Sequence, residues 1–303
     1  MSFELQQVWH WQIAAYLFLG GLGGATFALA TIIHLFEDCN RKMLSIVVFS
    51  SMVFLGLGTI FLLSDMLQPF KAFYALSNPT SWIFWGVIFI NGYFAISTFY
   101  IIPLLEEWPM LKPIIQKIPK KILTFLEKFN STAAIAGASM GFLVAIYTGL
   151  LISAAPAISF WNTPAMPLLF VVSAFSTGAA YILLLSAIAN KEESKHIANR
   201  LERLDAILII IELIILGAYF NFAFFLPSGA KYSANLLFGS WVFVVLFLFA
   251  GLLIPLGIET YSIFSKRKAH NRSIIILAST LVLMGGYLLR HFVLKAGVFQ
   301  FPW

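Results

Sequence analysis

Apolar residues fall into eight long runs along this chain, separated by short polar, basic or proline-containing connections. The runs cover about 12–36, 44–67, 81–105, 131–156, 166–189, 206–226, 236–258 and 273–294. Each approaches or exceeds the roughly 20 residues a helix needs to cross a bilayer core. The pattern predicts an all-α, polytopic membrane protein with eight transmembrane helices. Composition agrees. Of 303 residues, 60% are hydrophobic and 11% charged, and the mean hydropathy is +0.91. A soluble domain needs more charge than that to cover its surface. The net charge of +6 therefore describes membrane loops and is not a nucleic-acid signal. The N-terminal MSFELQQ has no Lys or Arg, so the positive region of a signal peptide is missing and the first run is expected to stay in the mature protein.

Basic residues set the expected orientation. Fifteen of the 19 Lys and Arg residues follow an odd-numbered helix. Arg41 and Lys42 follow the first; Lys112, Lys117, Lys120, Lys121 and Lys128 the third; Lys191, Lys195, Arg200 and Arg203 the fifth; Lys266, Arg267, Lys268 and Arg272 the seventh. The even-numbered loops hold only Lys71 and Lys231, with Arg290 and Lys295 at the far end of helix 8. Positive charge marks the cytoplasmic side, so both termini are expected on the outer, periplasmic side. The longest loop, EEWPMLKPIIQKIPKKILTFLEKFN, mixes Lys with Ile, Leu and Phe and reads as a basic amphipathic segment lying on the inner leaflet.

Glycines at Gly20, Gly21, Gly23 and Gly24 in helix 1, and at Gly137 and Gly141 in helix 4, give small-xxx-small spacings that let backbones approach closely. The GGLGG run lacks the full G-x-G-x-x-G pattern and sits inside a spanning helix, so it reads as packing, not as a nucleotide loop. Cys39, the single cysteine, excludes intramolecular disulfides and an iron–sulfur cluster held by this chain alone.

Polar groups at membrane depth are costly and mark function. Toward the outer side lie His10, Tyr16, Asp65, Tyr147, Tyr219, Asn221, Arg290 and His291; deeper or inward lie Asn91, Glu212, Glu259 and His34. Tyr147 is about 10 Å below the outer end of helix 4. Asp65 and Arg290, of opposite charge and similar depth, are a candidate ion pair. Glu212, in LIIIELII, needs a partner from another helix or a proton. Glu259 and His34 lie near the inner boundary, where a snorkelling or helix-end role is the simpler expectation. A transmembrane b-type haem would need two facing histidines within the bundle. His196 and His270 are in loops, and His10, His34 and His291 are near helix ends, so no haem is expected, and no metal-ligand spacing stands out.

Four segments carry a family resemblance: VWHWQIAAYLFLGGLGGATFALA in helix 1, LLSDMLQPFKAFYALSNPTSW after helix 2, YTGLLISAAPAISFWNTPAMPLLFVVSAFSTGAA through helix 4 and its turn, and GLLIPLGIE ending helix 7. In this order they resemble the NrfD/PsrC family, the quinone-binding membrane subunits of polysulfide, nitrite, tetrathionate and related oxidoreductases. The resemblance implies two four-helix bundles, divided here as 1–156 and 157–303, in a bacterial inner membrane. It implies an exchangeable menaquinone or ubiquinone near the outer face, and no redox centre in this chain. It also implies an iron–sulfur, ferredoxin-like subunit docked outside, with a molybdopterin or multihaem catalytic subunit beyond it. Tyr147 matches the tyrosine of the family's YTG motif and Asp65 the aspartate of its D-x-x-x-P motif. Where some relatives place a quinone-contacting histidine in helix 1, the matching position here is Tyr16, whose phenol still donates a hydrogen bond. The candidate quinone set is Tyr16, Tyr147, Asp65, Gln12 and His10. The candidate proton path is Asp65, Glu212, Arg290 and Glu259.

The expected function is therefore exchange of two electrons between the quinone pool and a partner iron–sulfur subunit, with no catalytic residue in this chain. A proton-coupled secondary transporter using Asp65 and Glu212 is the rival, and an anchor with a degenerate quinone site is a third reading. Trp161, in the turn after helix 4, is expected to anchor at the membrane interface.

Overall fold

The computed structural model describes residues 3–37, 39–66, 74, 76–189, 195–225, 229–264 and 272–300. Lys71, Lys191, Lys266, Arg267, Lys268 and His270 fall outside these. Among the described residues the structure is almost wholly helical, and eight helices are long and apolar enough to cross a membrane. In chain order these are α1 (Trp11–Phe36), α2 (Arg41–Asp65), α3 (Trp82–Ile101, extended by a 3-10 turn to Glu107), α6 (Asn130–Ser153), α7 (Ala165–Ala189), α8 (Lys195–Phe225), a joined pair ending in α10 (Ile254–Phe264), and α11 (Arg272–Lys295). Two short helices, α4 (Lys112–Ile115) and α5 (Lys120–Lys128), fill the basic loop, and α9 (Gly229–Phe238) follows α8.

Helix α1 is the axis of the molecule. It packs on α2, α6, α7 and α11, and nearly every residue from Ile13 to Thr31 is buried. A helix enclosed on all sides has no polar face, and without a hydrophobic drive between helices in lipid its neighbours must come close to gain dispersion energy. The glycine runs permit this. A Cβ added at Gly24 would lie 2.6 Å from the Gly141 carbonyl oxygen of α6, and one at Gly23 would lie 2.7 Å from the Ser51 carbonyl oxygen of α2. In the second half, α7 packs on α8 and α11, and α10 on α8 and α11.

Two helices differ from the hydropathy reading. Helix α8 begins at Lys195, not near 206. Its polar first turns are amphipathic: Ala198, Leu201 and Asp205 are buried, while Arg200 Nη1 meets Glu37 at 2.7 Å on the outside. The seventh crossing runs from Phe243 to Phe264, not from 236 to 258. Leu236 to Phe238 belong to α9, which ends where the Gly239 N–H reaches the Asn235 carbonyl at 2.9 Å. Residues Phe243–Leu253 are wound wider, with i→i+5 bonding, directly before α10. Pro255 explains the distortion, because it has no N–H and its ring crowds the carbonyl four residues earlier.

Strands β1 (Phe3–Leu5) and β2 (Val298–Gln300) pair antiparallel and bring the two ends of the described chain together. Trp161 sits beside them. The expected place at the lipid interface is not where it lies: it is 2% exposed, stacks on Trp9 at 5.1 Å, and donates from Nε1 to the Val293 carbonyl at 2.8 Å. An indole whose N–H finds a carbonyl inside the fold has no need of the interface.

Candidate functional site

The two tyrosines meet. Tyr16 of α1 and Tyr147 of α6 are both buried, with their phenol groups close to each other. Tyr147 fits because residue 86 of α3 is glycine: any Cβ there would overlap the phenol ring and hydroxyl. Phe89 closes the same side edge-on at 6.3 Å. Two neighbouring phenols inside a helix bundle each carry a hydroxyl proton that can be donated to a further oxygen.

Asp65 is not at that level. The Tyr16 carbonyl packs against Gly58 of α2, so Asp65, seven residues on, lies about 10 Å farther out. There it pairs with His10, whose Nδ1 is 3.4 Å from the Asp65 carboxylate and whose ring is largely exposed. Gln12 lies one turn outward from Tyr16 on α1. Its Oε1 is buried and has no hydrogen-bond partner among the described residues. An unpaired buried amide oxygen costs about 1–3 kcal/mol and calls for a donor. A cleft of about 420 Å³ opens beside this end, lined by Gln7, His10, Trp11, Ala14, His291 and Lys295 among others.

The suggested Asp65–Arg290 pair does not form. Arg290 points sideways from α11 into α7, fully buried. Its Nη1 donates to Ser173 Oγ and to the Gly286 carbonyl, both at 2.8 Å, and its Nη2 to the Phe170 carbonyl at 3.1 Å. The guanidinium carbon is 5.2 Å from the centre of the Phe170 ring. Glu212 of α8 lies near this group and feels the Arg290 charge. Similar depth on two helices did not place the charges on facing sides; Arg290 donates instead to oxygens of α7 and α11, with Glu212 nearby, and these compensate a cation that would otherwise be prohibitively costly to bury.

Glu259 is also inside, 3% exposed, and does not snorkel. Its carboxyl lies near that of Asp205, which accepts from Ser176 Oγ at 2.5 Å. Sequence reasoning misses Asp205 and the neighbouring Glu202, because hydropathy assigns them to a loop. Their spacing to Glu212 is the available signal, since positions 205 and 212 are two turns apart on one face. The other candidates stay outside both groups. Asn91 and Asn221 are exposed, and the Asn91 amide donates to the Val87 carbonyl of its own helix. Tyr219 donates to the Phe160 carbonyl. His34 lies between Cys39 Sγ at 3.6 Å and the Asn130 amide at 3.4 Å. Among the described residues no three His, Cys, Asp or Glu side chains come together as a metal site.

Residues 2–302 match the family described as "Polysulphide reductase, NrfD". The sequence is 28% identical to "Protein NrfD homolog" of Haemophilus influenzae, with 96% of this chain and 94% of that protein covered. It is 26% identical to "Protein NrfD" of Escherichia coli, covering 96% and 95%. It is 24% identical to the C chain of polysulfide reductase of Wolinella succinogenes, covering 96% and 94%. With eight apolar helices, and a match that runs from one end to the other, the chain belongs to the polysulphide reductase NrfD family and is a multi-pass membrane protein.

Proposed function

We propose that this chain is the membrane anchor and quinol/quinone-binding subunit of a respiratory oxidoreductase complex in a bacterial inner membrane. It exchanges two electrons between a menaquinone or ubiquinone pool and a partner iron–sulfur subunit on the outer face. The observation that carries the reading is the Tyr16–Tyr147 phenol pair, with the unpartnered Gln12 oxygen one turn outward from Tyr16. A quinol head group needs acceptors for its hydroxyls and a quinone needs donors for its carbonyls; this side-chain set offers both, so the residues present fit such a ligand. When bound, a quinol supplies two electrons and two protons. Tyr147 and Tyr16 bind and orient the head group by donation, and Gln12 Oε1 accepts. Asp65 takes a proton outward to His10, which is mostly exposed.

The distribution of basic loops supports an orientation with both termini outside. The Wolinella relative is by name one lettered component of a reductase, which supports assembly with other subunits. The helix contacts support two four-helix halves, 1–156 and 157–303, with α1 spanning the seam. Quinol oxidation by the intact complex tests the site. Tyr147→Phe and Asp65→Asn should each slow it, the first by removing a donor to the head group and the second by removing the outward proton acceptor beside His10. Unchanged rates in both variants would refute the assignment.

A further inference from the structure

A larger cavity, of about 500 Å³, lies at the other end of α1 from the tyrosines. Ile33 of α1, Met43 and Val47 of α2, Ile182 of α7 and Ile197 of α8 form its walls, so it sits between the two helix groups. Closer to the tyrosines, Phe54 of α2 meets Tyr181 of α7 edge-on at 4.8 Å. The two helices touch there and part below, where α1 presents the small Ala30 to the cavity. Spaces of this size hold ligands. Of the described residues that line it, Asn40, Ser186 and Cys39 carry polar side chains. The Asn40 side-chain oxygen already caps α2, accepting from the Lys42 and Met43 N–H groups at 3.0 and 3.3 Å. Such walls suit an alkyl chain better than a quinone head, which needs a donor at each carbonyl. The flanking residues are basic. Arg41 and Lys42 are exposed beside Met43. Arg200, one turn along α8 from Ile197, holds Glu37 at 2.7 Å, and His196 lies 3.6 Å from the same carboxylate. The nearest Arg41 approach to a carboxylate among the described residues is 4.0 Å, to Glu107. Basic loops assign this end to the cytoplasm, where the leaflet surface is negative.

We propose that this cavity holds an acyl chain of an anionic phospholipid from the cytoplasmic leaflet, with the lipid phosphate among Arg41, Lys42 and Arg200. Bilayer and cavity are both apolar, so the chain gains dispersion contacts in the wedge but no hydrophobic drive. Selectivity comes from the charged head, because basic pockets between helices on the cytoplasmic side recognise anionic lipid heads. The bound chain fills the gap where α2 and α7 part and joins the two helix groups away from the tyrosines. The inference does not depend on the quinone reading.

Native mass spectrometry of the purified complex, stripped of lipid in detergent and titrated with dioleoylphosphatidylglycerol, tests the site. The wild type should retain one more tightly bound lipid than Val47→Phe, whose ring occupies the space the chain needs. Lys42→Gln, at an exposed helix start, keeps the test decisive if the filled variant fails to assemble. It should hold that lipid about fivefold more weakly, the loss expected for one basic residue near a lipid surface. Dioleoylphosphatidylcholine should not replace the lipid at equal concentration, and neither inorganic phosphate nor decylubiquinone should displace it. Equal lipid counts in wild type and Val47→Phe, or unchanged affinity in Lys42→Gln, would overturn the site. Equal binding of phosphatidylcholine would overturn the anionic head. Displacement by phosphate would identify a free-anion site, and displacement by decylubiquinone a quinone site; either would overturn the lipid assignment.

Discussion

Tyr147 carries more of the functional reading than any other side chain, and its position depends on a residue with none. Gly86 leaves a gap in α3 that the Tyr147 phenol fills, which sets the phenol beside Tyr16. Gly86→Ala should push the ring out of that position. Overpacking of this kind costs about 1–3 kcal/mol, and the complex should lose quinol oxidation while still assembling. Assembly by size-exclusion chromatography with a wild-type rate would show that the phenol pair is not required. At this scale the sequence is legible in part. Tyr147 and Glu212 stand out as polar groups in apolar runs. Which way each points does not, because residue spacing along one helix says nothing of the facing helix. Arg290 and Asp65 share a depth but turn to different neighbours, Ser173 and His10.

The helices show the same division. Eight crossings follow from apolar runs alone, and small-residue spacing correctly marks the α1–α6 seam at Gly24 and Gly141. Two features break the pattern. The polar start of α8 reads as loop, which hides Asp205, and the apolar Leu236–Phe238 stretch merges with the next crossing, although Gly239 ends α9 there. Hydropathy averages over a window and cannot separate an amphipathic helix end from a loop, nor a short buried helix from a spanning one. The α6–α7 turn misleads for a related reason: tryptophan prefers the interface on average, but Trp161 finds a carbonyl on α11 and a partner ring on Trp9. Trp161→Phe should remove that hydrogen bond and cost about 1 kcal/mol, whereas Trp161→Ala should cost about 3–5 kcal/mol by leaving a cavity. Thermal unfolding of the detergent-purified protein measures both, and equal effects would mean that the indole N–H, not the packing, holds the turn.

Across the whole molecule, α1 joins two groups of helices, and each group carries one polar arrangement: phenols, Gln12 and Asp65 in the first, Asp205, Glu259, Glu212 and Arg290 in the second. The basic residues predict which end of each faces the cytoplasm. In a Cys39→Ser background, Lys128→Cys on α5 and Lys231→Cys on α9, both exposed, should react with an impermeant maleimide from opposite sides of the membrane. Labelling from one side would refute the assigned orientation. The central claim is that the first group binds a quinone head through Tyr147. Equilibrium binding of a quinone analogue to the purified complex tests it most directly. The account predicts saturable binding, weakened up to about tenfold in Tyr147→Phe by loss of one hydrogen bond. Non-saturable uptake, the same in wild type and variant, would contradict it.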